Sequence, residues 1–265
     1  MDGMQFDEKA LQLRLAGKVI GRLLHYRETV DSTNHVALGL AREGAPEGTV
    51  VLADRQTAGR GRLQRVWQSP PGCNLYMSVI LHPVVAPQDI PQITLLAGVA
   101  VAEAIAAVSP ADVGIKWPND VRIGDRKVCG ILTEMRTDEG RVAVVIGIGL
   151  NMNMARSDFD PGHRDTATSL REETGRDHSR EDMVVSLCER LERWYETFLH
   201  AGFAPVRDGW LARSQMAGKR VRVLFRDEVQ EGVVEGIDRD GALLLADGRG
   251  NVRRITAGDA TIMKG

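Results

Sequence analysis

Short apolar runs separated by polar turns dominate the first half of the chain. Residues 49–53 and 74–81 are apolar and rich in β-branched or aromatic side chains, which predicts two buried strands. Apolar side chains then recur at helical spacing over residues 93–108, and Pro91 stands where a helix start tolerates its missing N–H. The pattern therefore predicts a helix that packs against a sheet.

The next segment alternates apolar runs with turn residues. The apolar runs cover residues 121–123, 128–135 and 142–150, and turns are predicted between them at residues 124–127 and 137–140. This spacing is typical of hairpins, so we expect the sheet to be mixed or antiparallel.

Two further helices are predicted downstream. Ser179 followed by Asp182 is typical of a helix start. The apolar positions after it share one helical face, formed by Val184, Leu187, Cys188, Leu191, Trp194, Tyr195 and Phe198. A shorter helix is predicted over residues 205–213.

The pattern changes after Gln215. Short strand-like runs then follow at regular spacing, with Gly, Asp and Arg between them, at residues 219–225, 229–237, 242–245 and 252–255. Such spacing predicts a small all-β barrel. We therefore expect two domains, formed by residues 1–213 and 214–265.

Composition excludes several classes of protein. Of the 265 residues, 43% are hydrophobic and 26% are charged, which is ordinary for a globular chain. Lys and Arg number 34 against 36 Asp and Glu, and the resulting net charge of −2 disfavours nucleic acid and anionic lipid as partners. Three widely spaced cysteines exclude a Cys-based zinc site and argue against a disulfide framework. We expect a cytoplasmic protein without a signal peptide.

Glycine and arginine alternate in the most unusual stretch of the sequence, at Gly59, Arg60, Gly61 and Arg62. Glycines let the backbone approach a ligand, and guanidinium groups bind carboxylates or phosphates through paired hydrogen bonds. Local composition leaves two interpretations equally open. One is a site for one or two anions, and the other is a solvated basic loop or one that contacts nucleic acid.

Other features are modest when taken singly. The DSTN run at residues 31–34 is typical of a helix cap, and KWPND at residues 116–120 is typical of a turn. Lys127 lies at a predicted hairpin tip, where a lysine is usually solvated. Glycines inside the apolar run at residues 147–151 indicate close approach by a ligand or by another backbone, and packing within the sheet is a second reason for them.

The order and spacing of these features resemble the biotin protein ligase family. The resemblance runs from about residue 24 to the C-terminus and is carried by DSTN at 31–34, QTAGRGR at 56–62 with Trp67, SPPGCNLY at 69–76, KWPND at 116–120, RKVCGIL at 126–132 and GIGLN at 147–151. It implies an α+β fold, with packed helices on a mixed or antiparallel sheet in a catalytic domain like that of class II aminoacyl-tRNA synthetases. A small SH3-like β-barrel is implied at the C-terminus.

One position departs from the family's pattern. Gln64 stands where the arginine-rich loop usually has a glycine, while Arg65 and Trp67 keep their places. A glycine permits a tight turn that glutamine adopts only with strain, so the conformation of this loop is left open.

The resemblance implies an ATP-dependent ligase that acts in two steps. Biotin and ATP first give biotinyl-5′-AMP and pyrophosphate, and biotin then passes to a lysine of a biotin carboxyl carrier protein. The first step joins two anions, whose repulsion must be cancelled. The resemblance therefore makes Arg62 and Lys127 the catalytic residues and places Mg²⁺ on the phosphates.

The remaining site residues are also implied by the resemblance. Those that bind biotin are Ser32, Thr33, Asn34, Gln56, Arg60, Gly61, Arg62 and Lys127. Those that bind the nucleotide are Lys116, Asn119, Asp120 and Asn151. Residues 128–132 and 147–150 are expected to supply an apolar wall for biotin. The metal ligands are not assigned, although Asp120 is a candidate for placing magnesium.

The resemblance also bears on the partners of the protein and on the alternative functions. About thirty residues precede Asp31, below the size of an independent domain, so we expect the monofunctional type, with no DNA partner and no membrane partner. A homodimer is left open. A non-catalytic biotin sensor is disfavoured by Arg62 and Lys127, and a lipoate-type ligase by the GRGR run at residues 59–62.

Overall fold

A mixed seven-stranded sheet forms the centre of the molecule. In this computed structural model, which describes residues 6–138, 141–226 and 228–263, its strands are β1 (Leu24–Val30), β2 (Val50–Gln56), β3 (Leu75–Leu81), β4 (Val113–Lys116), β5 (Asp120–Ile123), β6 (Arg126–Asp138) and β7 (Arg141–Leu150). They lie in the order β1-β2-β3-β7-β6-β5-β4. The β1–β2 pair is parallel and the other neighbours are antiparallel, which confirms the predicted mixed sheet.

The predicted strands agree with β2, β3 and the β5–β6–β7 meander, whereas β1 and β4 were not predicted. β3 is buried at every position, which explains why its sequence is apolar throughout rather than alternating. The turn predicted at residues 137–140 includes residues 139 and 140, which lie outside the described ranges.

Helices cover both faces of this sheet. In the part of the chain that the structure describes they are α1 (Glu8–Arg14), α2 (Thr33–Arg42), α3 (Ile90–Ala106), α4 (Leu170–Thr174), α5 (Arg180–Ala201) and α6 (Ala204–Leu211). Pro91 lies in the first turn of α3, and the Ser179 side chain accepts a hydrogen bond from the Asp182 N–H at the start of α5. Both predicted helix starts are therefore confirmed.

Helix α3 is buried around most of its circumference, because it packs against the sheet and also against α5 and α6. The segment Pro87–Ala106 is long and apolar enough to cross a membrane by length and composition alone. Of its most apolar 18 residues, 72% are buried inside the protein, as in the core helix of a globular domain.

A second, five-stranded antiparallel sheet follows. Its strands are β8 (Arg220–Phe225), β9 (Glu228–Ile237), β10 (Leu243–Ala246), β11 (Val252–Ile255) and β12 (Asp259–Ile262), in the order β11-β10-β9-β8-β12. The predicted α+β fold with a small C-terminal β-barrel is confirmed, and β12 is a strand that was not predicted. The division at residues 213 and 214 stays a prediction.

The two sheets are in direct contact. Trp117, which is buried after β4, donates a hydrogen bond from Nε1 to the Gly241 carbonyl before β10 at 3.2 Å. Buried side chains of the second sheet, such as Val223 and Leu243, belong to the same hydrophobic cluster as the central sheet. The C-terminal sheet is thus held against the end of the central sheet where β4 and β5 meet.

Candidate active site

A cavity of about 260 Å³ opens at one end of the central sheet. Its walls come from the start of α2, from the glycine–arginine segment, from β5, β6 and β7, from residues 151–167 and from Asp259 of β12. Eleven of the twelve residues predicted for the site line it, namely Ser32, Thr33, Asn34, Gln56, Arg60, Gly61, Arg62, Asn119, Asp120, Lys127 and Asn151.

Lys116 is the predicted site residue that does not line the cavity. It lies behind Asp120, with Nζ 3.8 Å from Asp120 Oδ2, and its side chain is largely buried. Burial lowers the pKa of this lysine, and the Asp120 carboxylate opposes that shift. Lys116 therefore acts on the cavity only through the Asp120 carboxylate, which also pairs with Lys127.

The arginine loop, defined here as residues 59–67, folds back on itself. The Trp67 N–H donates to the Gly59 carbonyl at 2.9 Å, and the Gly61 N–H donates to the Arg65 carbonyl at 2.7 Å. Arg60 forms an isolated antiparallel bridge with Val66. The Gly61 N–H is therefore used inside the loop, which leaves the arginine side chains as the groups that reach the cavity.

The departure at Gln64 has a clear structural counterpart. Leu63 has φ 55° and Gln64 has φ 58°, both in the left-handed region that favours glycine. Leu63 and Gln64 thus adopt a backbone conformation that glycine would adopt without strain, although both carry a Cβ atom. The strain expected at position 64 is present, and the loop conformation needs support from outside.

The Arg62 guanidinium is held by two oxygen acceptors. Arg62 donates from Nη1 to the Gly258 carbonyl at 3.1 Å and to Asn119 Oδ1 at 3.4 Å. Burial lowers the pKa of the Arg62 guanidinium, while the Asp259 and Asp120 carboxylates oppose the shift. This arginine is therefore partly desolvated, and a buried cation attracts an anionic ligand more strongly than an exposed one does.

Lys127 is held on two sides. Its Nζ lies 2.6 Å from Asp120 Oδ1 and 5.3 Å from the ring centroid of Trp67. A Cβ atom at Gly149 of β7 would lie 2.5 Å from Trp67 Nε1, so the indole requires a glycine there. This close approach accounts for one of the glycines that interrupt the apolar strand.

At the entry to α2 the walls are polar and neutral. Gln56 Oε1 accepts from the Thr33 N–H at 2.9 Å and from Thr33 Oγ1 at 3.2 Å. Ser78 Oγ, which is buried in β3, lies 2.8 Å from Thr33 Oγ1 and 2.7 Å from Asn34 Oδ1. Ser32 occupies the cap position of α2, but its side chain makes no capping hydrogen bond. Ser32 lines the cavity.

Asn34 is fully engaged with the sheet. Its Nδ2 donates to the Leu132 carbonyl at 3.1 Å and to Glu134 Oε2 at 2.7 Å.

Gln56 links the entry of α2 to the arginine loop. It donates from Nε2 to Ser69 Oγ at 3.1 Å, and the Ser69 hydroxyl donates to the Trp67 carbonyl at 3.0 Å. A chain of hydrogen bonds therefore joins the polar end of the cavity to the end of the arginine loop.

Sequence reasoning missed the segment after β7. Met154, Phe159, His163 and Ala167 line the cavity, and residues 166–168 pair with the backbone of Lys127. Asn151 holds this segment, because its Nδ2 donates to the Thr168 carbonyl at 3.0 Å. The segment has no hydrophobic period from which its position over the cavity could have been predicted. Ser78, by contrast, was detectable as the serine that interrupts the apolar run at residues 75–81.

The cavity thus combines three environments. The entry of α2 offers neutral hydrogen-bonding groups, and Ile131, Leu132 and Ile148 supply apolar surface. Arg60, Arg62, Arg65 and Lys127 outnumber the carboxylates of Asp120 and Asp259. This arrangement suits an elongated ligand with a neutral polar head, an apolar body and an anionic tail. Among the described residues no cluster of three His, Cys, Asp or Glu side chains could hold a metal ion.

Comparison with known proteins agrees with this geometry. The sequence pattern of the Biotin/lipoate A/B protein ligase family matches residues 26–151, and that of the Biotin protein ligase C terminal domain matches residues 217–262. The biotin protein ligase from Aquifex aeolicus in complex with biotin and ATP superposes with a TM-score of 0.80 at 29% identity, covering 92% of this chain and 100% of that chain.

Two relatives are similar over nearly the whole chain. The biotin–[acetyl-CoA-carboxylase] ligase of Mycobacterium tuberculosis is 35% identical over 97% of this chain and 96% of its own length. The bifunctional ligase/repressor BirA of Bacillus spizizenii is 39% identical over 96% of this chain and 78% of its own length. The fold and the site define a protein ligase of the biotin/lipoate class. Within that class, the chain belongs to the biotin protein ligase family.

Proposed function

We propose that this chain activates biotin with ATP in the cavity and then transfers the biotinyl group to a lysine of a biotin carboxyl carrier protein. In the first step a biotin carboxylate oxygen bonds to the α-phosphorus of ATP, the bond between the α- and β-phosphates breaks, and pyrophosphate leaves. In the second step the lysine amine attacks the biotinyl carbonyl, AMP leaves, and the amine loses its proton.

One observation carries this proposal: the cavity joins a neutral hydrogen-bonding end to a cationic end. Thr33, Gln56 and Ser32 lie at the neutral end, which suits a ureido group with two donors and one acceptor. Unmatched buried polar atoms cost about 1–3 kcal/mol each, so such a group needs a matched site. Arg62 and Lys127 lie at the cationic end, where the carboxylate and the α-phosphate must meet.

The cationic end acts by holding positive charge in place before the anions arrive. Asp120 fixes Lys127 through the 2.6 Å ion pair, and the Gly258 carbonyl and Asn119 orient Arg62. Fixed charges aimed at developing negative charge need little reorganisation during the reaction. We assign Arg62 and Lys127 to neutralise the biotin carboxylate and the α-phosphate, and Arg60 adds positive charge to the lining of the same cavity.

Magnesium is proposed as part of the MgATP substrate rather than as a metal held by the protein. The two Asp120 oxygens face two lysine ammonium groups, at 2.6 Å and 3.8 Å, so this carboxylate is engaged by cations. Magnesium is commonly bound through few carboxylates together with substrate phosphates and waters. The residues present therefore do not build a site for the metal alone.

The acceptor is proposed to be the biotin carrier of a carboxylase, in line with the acetyl-CoA carboxylase that the relatives' names specify. The absence of a DNA or membrane partner and the cytoplasmic location stay predictions, and the choice between monomer and homodimer stays open. A lipoate-type ligase remains the less favoured alternative, because the GRGR run at residues 59–62 is the basis of the resemblance to biotin ligases.

The decisive experiment uses the purified full chain with biotin, MgATP and a carrier domain. Pyrophosphate release should depend on biotin, and mass spectrometry should detect one biotinyl group on the carrier. Lipoate in place of biotin should not support pyrophosphate release. Biotin binding without pyrophosphate release would support the sensor instead, and preferential use of lipoate would support the lipoate-type ligase.

A further inference from the structure

The arginine loop is tied to the C-terminal sheet at two adjacent residues. Arg62 donates from Nη1 to the Gly258 carbonyl at 3.1 Å, and Arg65 Nη2 lies 2.5 Å from Asp259 Oδ2. Gly258 directly precedes β12 and Asp259 begins it. This strand is one of those that the sequence patterns did not predict. Residues almost two hundred positions apart in the chain therefore meet at the rim of the cavity.

Packing against β8 holds Gly258, whose carbonyl accepts the hydrogen bond from Arg62. Gly258 has φ 141°, and a Cβ atom there would lie 2.6 Å from Val223 Cγ1 and 3.0 Å from the Leu224 carbonyl oxygen. A side chain at this position would thus collide with β8, so only glycine lets the backbone turn here with its carbonyl toward Arg62. Asp259 follows directly, and its side chain is 23% exposed against 66% for Arg65.

The loop needs these contacts because its tip is strained. Leu63 and Gln64, the residues in left-handed conformation, stand between Arg62 and Arg65, whose side chains make the two contacts. Non-glycine residues in that conformation cost about 1–2 kcal/mol each in helical geometry, and such conformations persist only when surrounding contacts impose them. The hydrogen bonds inside the loop join its two arms, whereas Gly258 and Asp259 fix its tip from outside.

We propose that Gly258 and Asp259 form a latch that holds the arginine loop over the cavity, which makes Asp259 a positioning residue for retaining the acyl-adenylate. The proposal rests on the proposed function for the identity of the retained ligand. Asp259 acts through Arg65, since a carboxylate placed directly on a phosphate would repel it. The C-terminal barrel thereby controls how long the reactive intermediate is kept from water.

The test measures release of preformed biotinyl-5′-AMP from the full chain. Enzyme loaded with biotin and MgATP is freed of excess substrate, and the intermediate that escapes is quantified over time. Asp259→Ala and Arg65→Ala should each speed release about three- to five-fold, as expected for loss of one partly exposed ion pair. The double alanine variant should release no faster than either single variant, because both changes remove the same contact.

The matched control is Asp240→Ala. It removes another ion pair of the C-terminal sheet, in which Asp240 Oδ2 lies 2.6 Å from Arg254 Nη2, away from the residues that line the cavity. Release from this variant should equal that of the wild type. Exchanging the partners, Arg65→Asp with Asp259→Arg, should restore slow release. Wild-type release from Asp259→Ala, or additive effects of the two single variants, would overturn the latch.

A second readout does not depend on the proposed function. In the ligand-free protein, trypsin cleavage after Arg60 and Arg62 should be several-fold faster in Asp259→Asn than in the wild type or in Asp240→Ala. Equal cleavage in all three would overturn the latch even if the wild type forms no acyl-adenylate. Faster cleavage without acyl-adenylate formation by the wild type would support the latch and contradict the proposed reaction.

Discussion

The Lys127 ammonium lies 2.6 Å from one carboxylate oxygen of Asp120, and both side chains face the cavity. The other oxygen of Asp120 lies 3.8 Å from the Lys116 ammonium, which sits behind it. A single carboxylate therefore positions the cation that faces the substrate and also neutralises part of the charge behind it. Because two ammonium groups flank one carboxylate, the cluster stays net positive toward an incoming anion.

We expect Lys127→Ala to slow formation of biotinyl-5′-AMP by about 10²–10³-fold, the usual loss when one preorganised stabilising group is removed. Biotin affinity should change much less, since the neutral end of the cavity is untouched. Single-turnover pyrophosphate release and calorimetry of biotin binding measure the two quantities. Lys219→Ala is the control, because Lys219 is exposed before β8. A normal rate of acyl-adenylate formation in Lys127→Ala would contradict the assigned role.

For Arg62→Ala we expect two effects, slower formation of the acyl-adenylate and faster escape of the intermediate into solution. The first follows from loss of a partly buried cation at the reaction centre, and the second from loss of the contact with Gly258. Chromatography of the free and bound acyl-adenylate separates the effects. Arg239→Ala removes a highly exposed arginine and should change neither. Wild-type retention in the Arg62 variant would show that the loop is no clamp.

Ser78→Ala tests the neutral end of the cavity. The Ser78 hydroxyl is buried and lies within hydrogen-bond distance of Thr33 Oγ1 and Asn34 Oδ1. Its removal leaves buried polar atoms with fewer partners, which costs about 1–3 kcal/mol. We expect biotin affinity to fall about ten-fold, with little change in the rate at saturating biotin. Ser157→Ala, at an exposed serine, is the control. An unchanged biotin affinity would exclude Ser78 from the recognition network.

Much of the site was predictable because several of its residues stand at helix starts and hairpins, which short sequence patterns indicate. The helix entry at Ser32 and the hairpin residue Lys127 follow from short patterns, whereas β2 continues to Gln56, three residues past the predicted run at residues 49–53. The mixed sheet brings these positions together. Composition alone did not identify the ligand. Residues 59–62 could form an anion site or a solvated basic loop, and the choice depends on whether the arginines line a cavity.

The parts that the sequence did not reveal depend on contacts between distant segments. The run at residues 259–262 is short and of mixed polarity, so it gave no strand signal, yet it carries the partner of Arg65. Residues 151–167 cover the cavity without any hydrophobic period, and the Asn151 side chain fixes them by a bond to the Thr168 carbonyl. Side-chain contacts such as these cannot be read from local patterns.

Gln64→Gly tests the strain in the arginine loop. Gln64 has φ 58°, which glycine adopts without a Cβ clash, so the variant should raise the free energy of unfolding by up to about 1 kcal/mol. Chemical denaturation measures this change. Gln64→Ala keeps the Cβ atom and should give no gain. If both variants changed stability equally, the effect would come from the lost amide side chain and not from the backbone conformation.

The stability of the protein should depend on pH through His178. This histidine is buried, its Nε2 lies 2.7 Å from Thr174 Oγ1, and its backbone N–H and carbonyl pair with the Asn153 side chain, both at 2.9 Å. Burial lowers its pKa below the ordinary 6.5, and Arg176 adds to the shift while Asp177 opposes it. The folded state therefore binds fewer protons than the unfolded state in slightly acidic solution.

Because the folded pKa lies below the unfolded one, the stabilising contribution of neutral His178 is complete above about pH 6.5 and falls as the pH drops toward the folded pKa. Urea denaturation at a series of pH values between about 8 and about 5 should show this loss in the wild type. In His178→Gln, which keeps a polar group near Thr174 and cannot take up the proton, the decline should be shallower. His200→Gln, at an exposed histidine, should follow the wild-type curve. Parallel curves for the wild type and His178→Gln would mean that other groups carry the whole pH dependence.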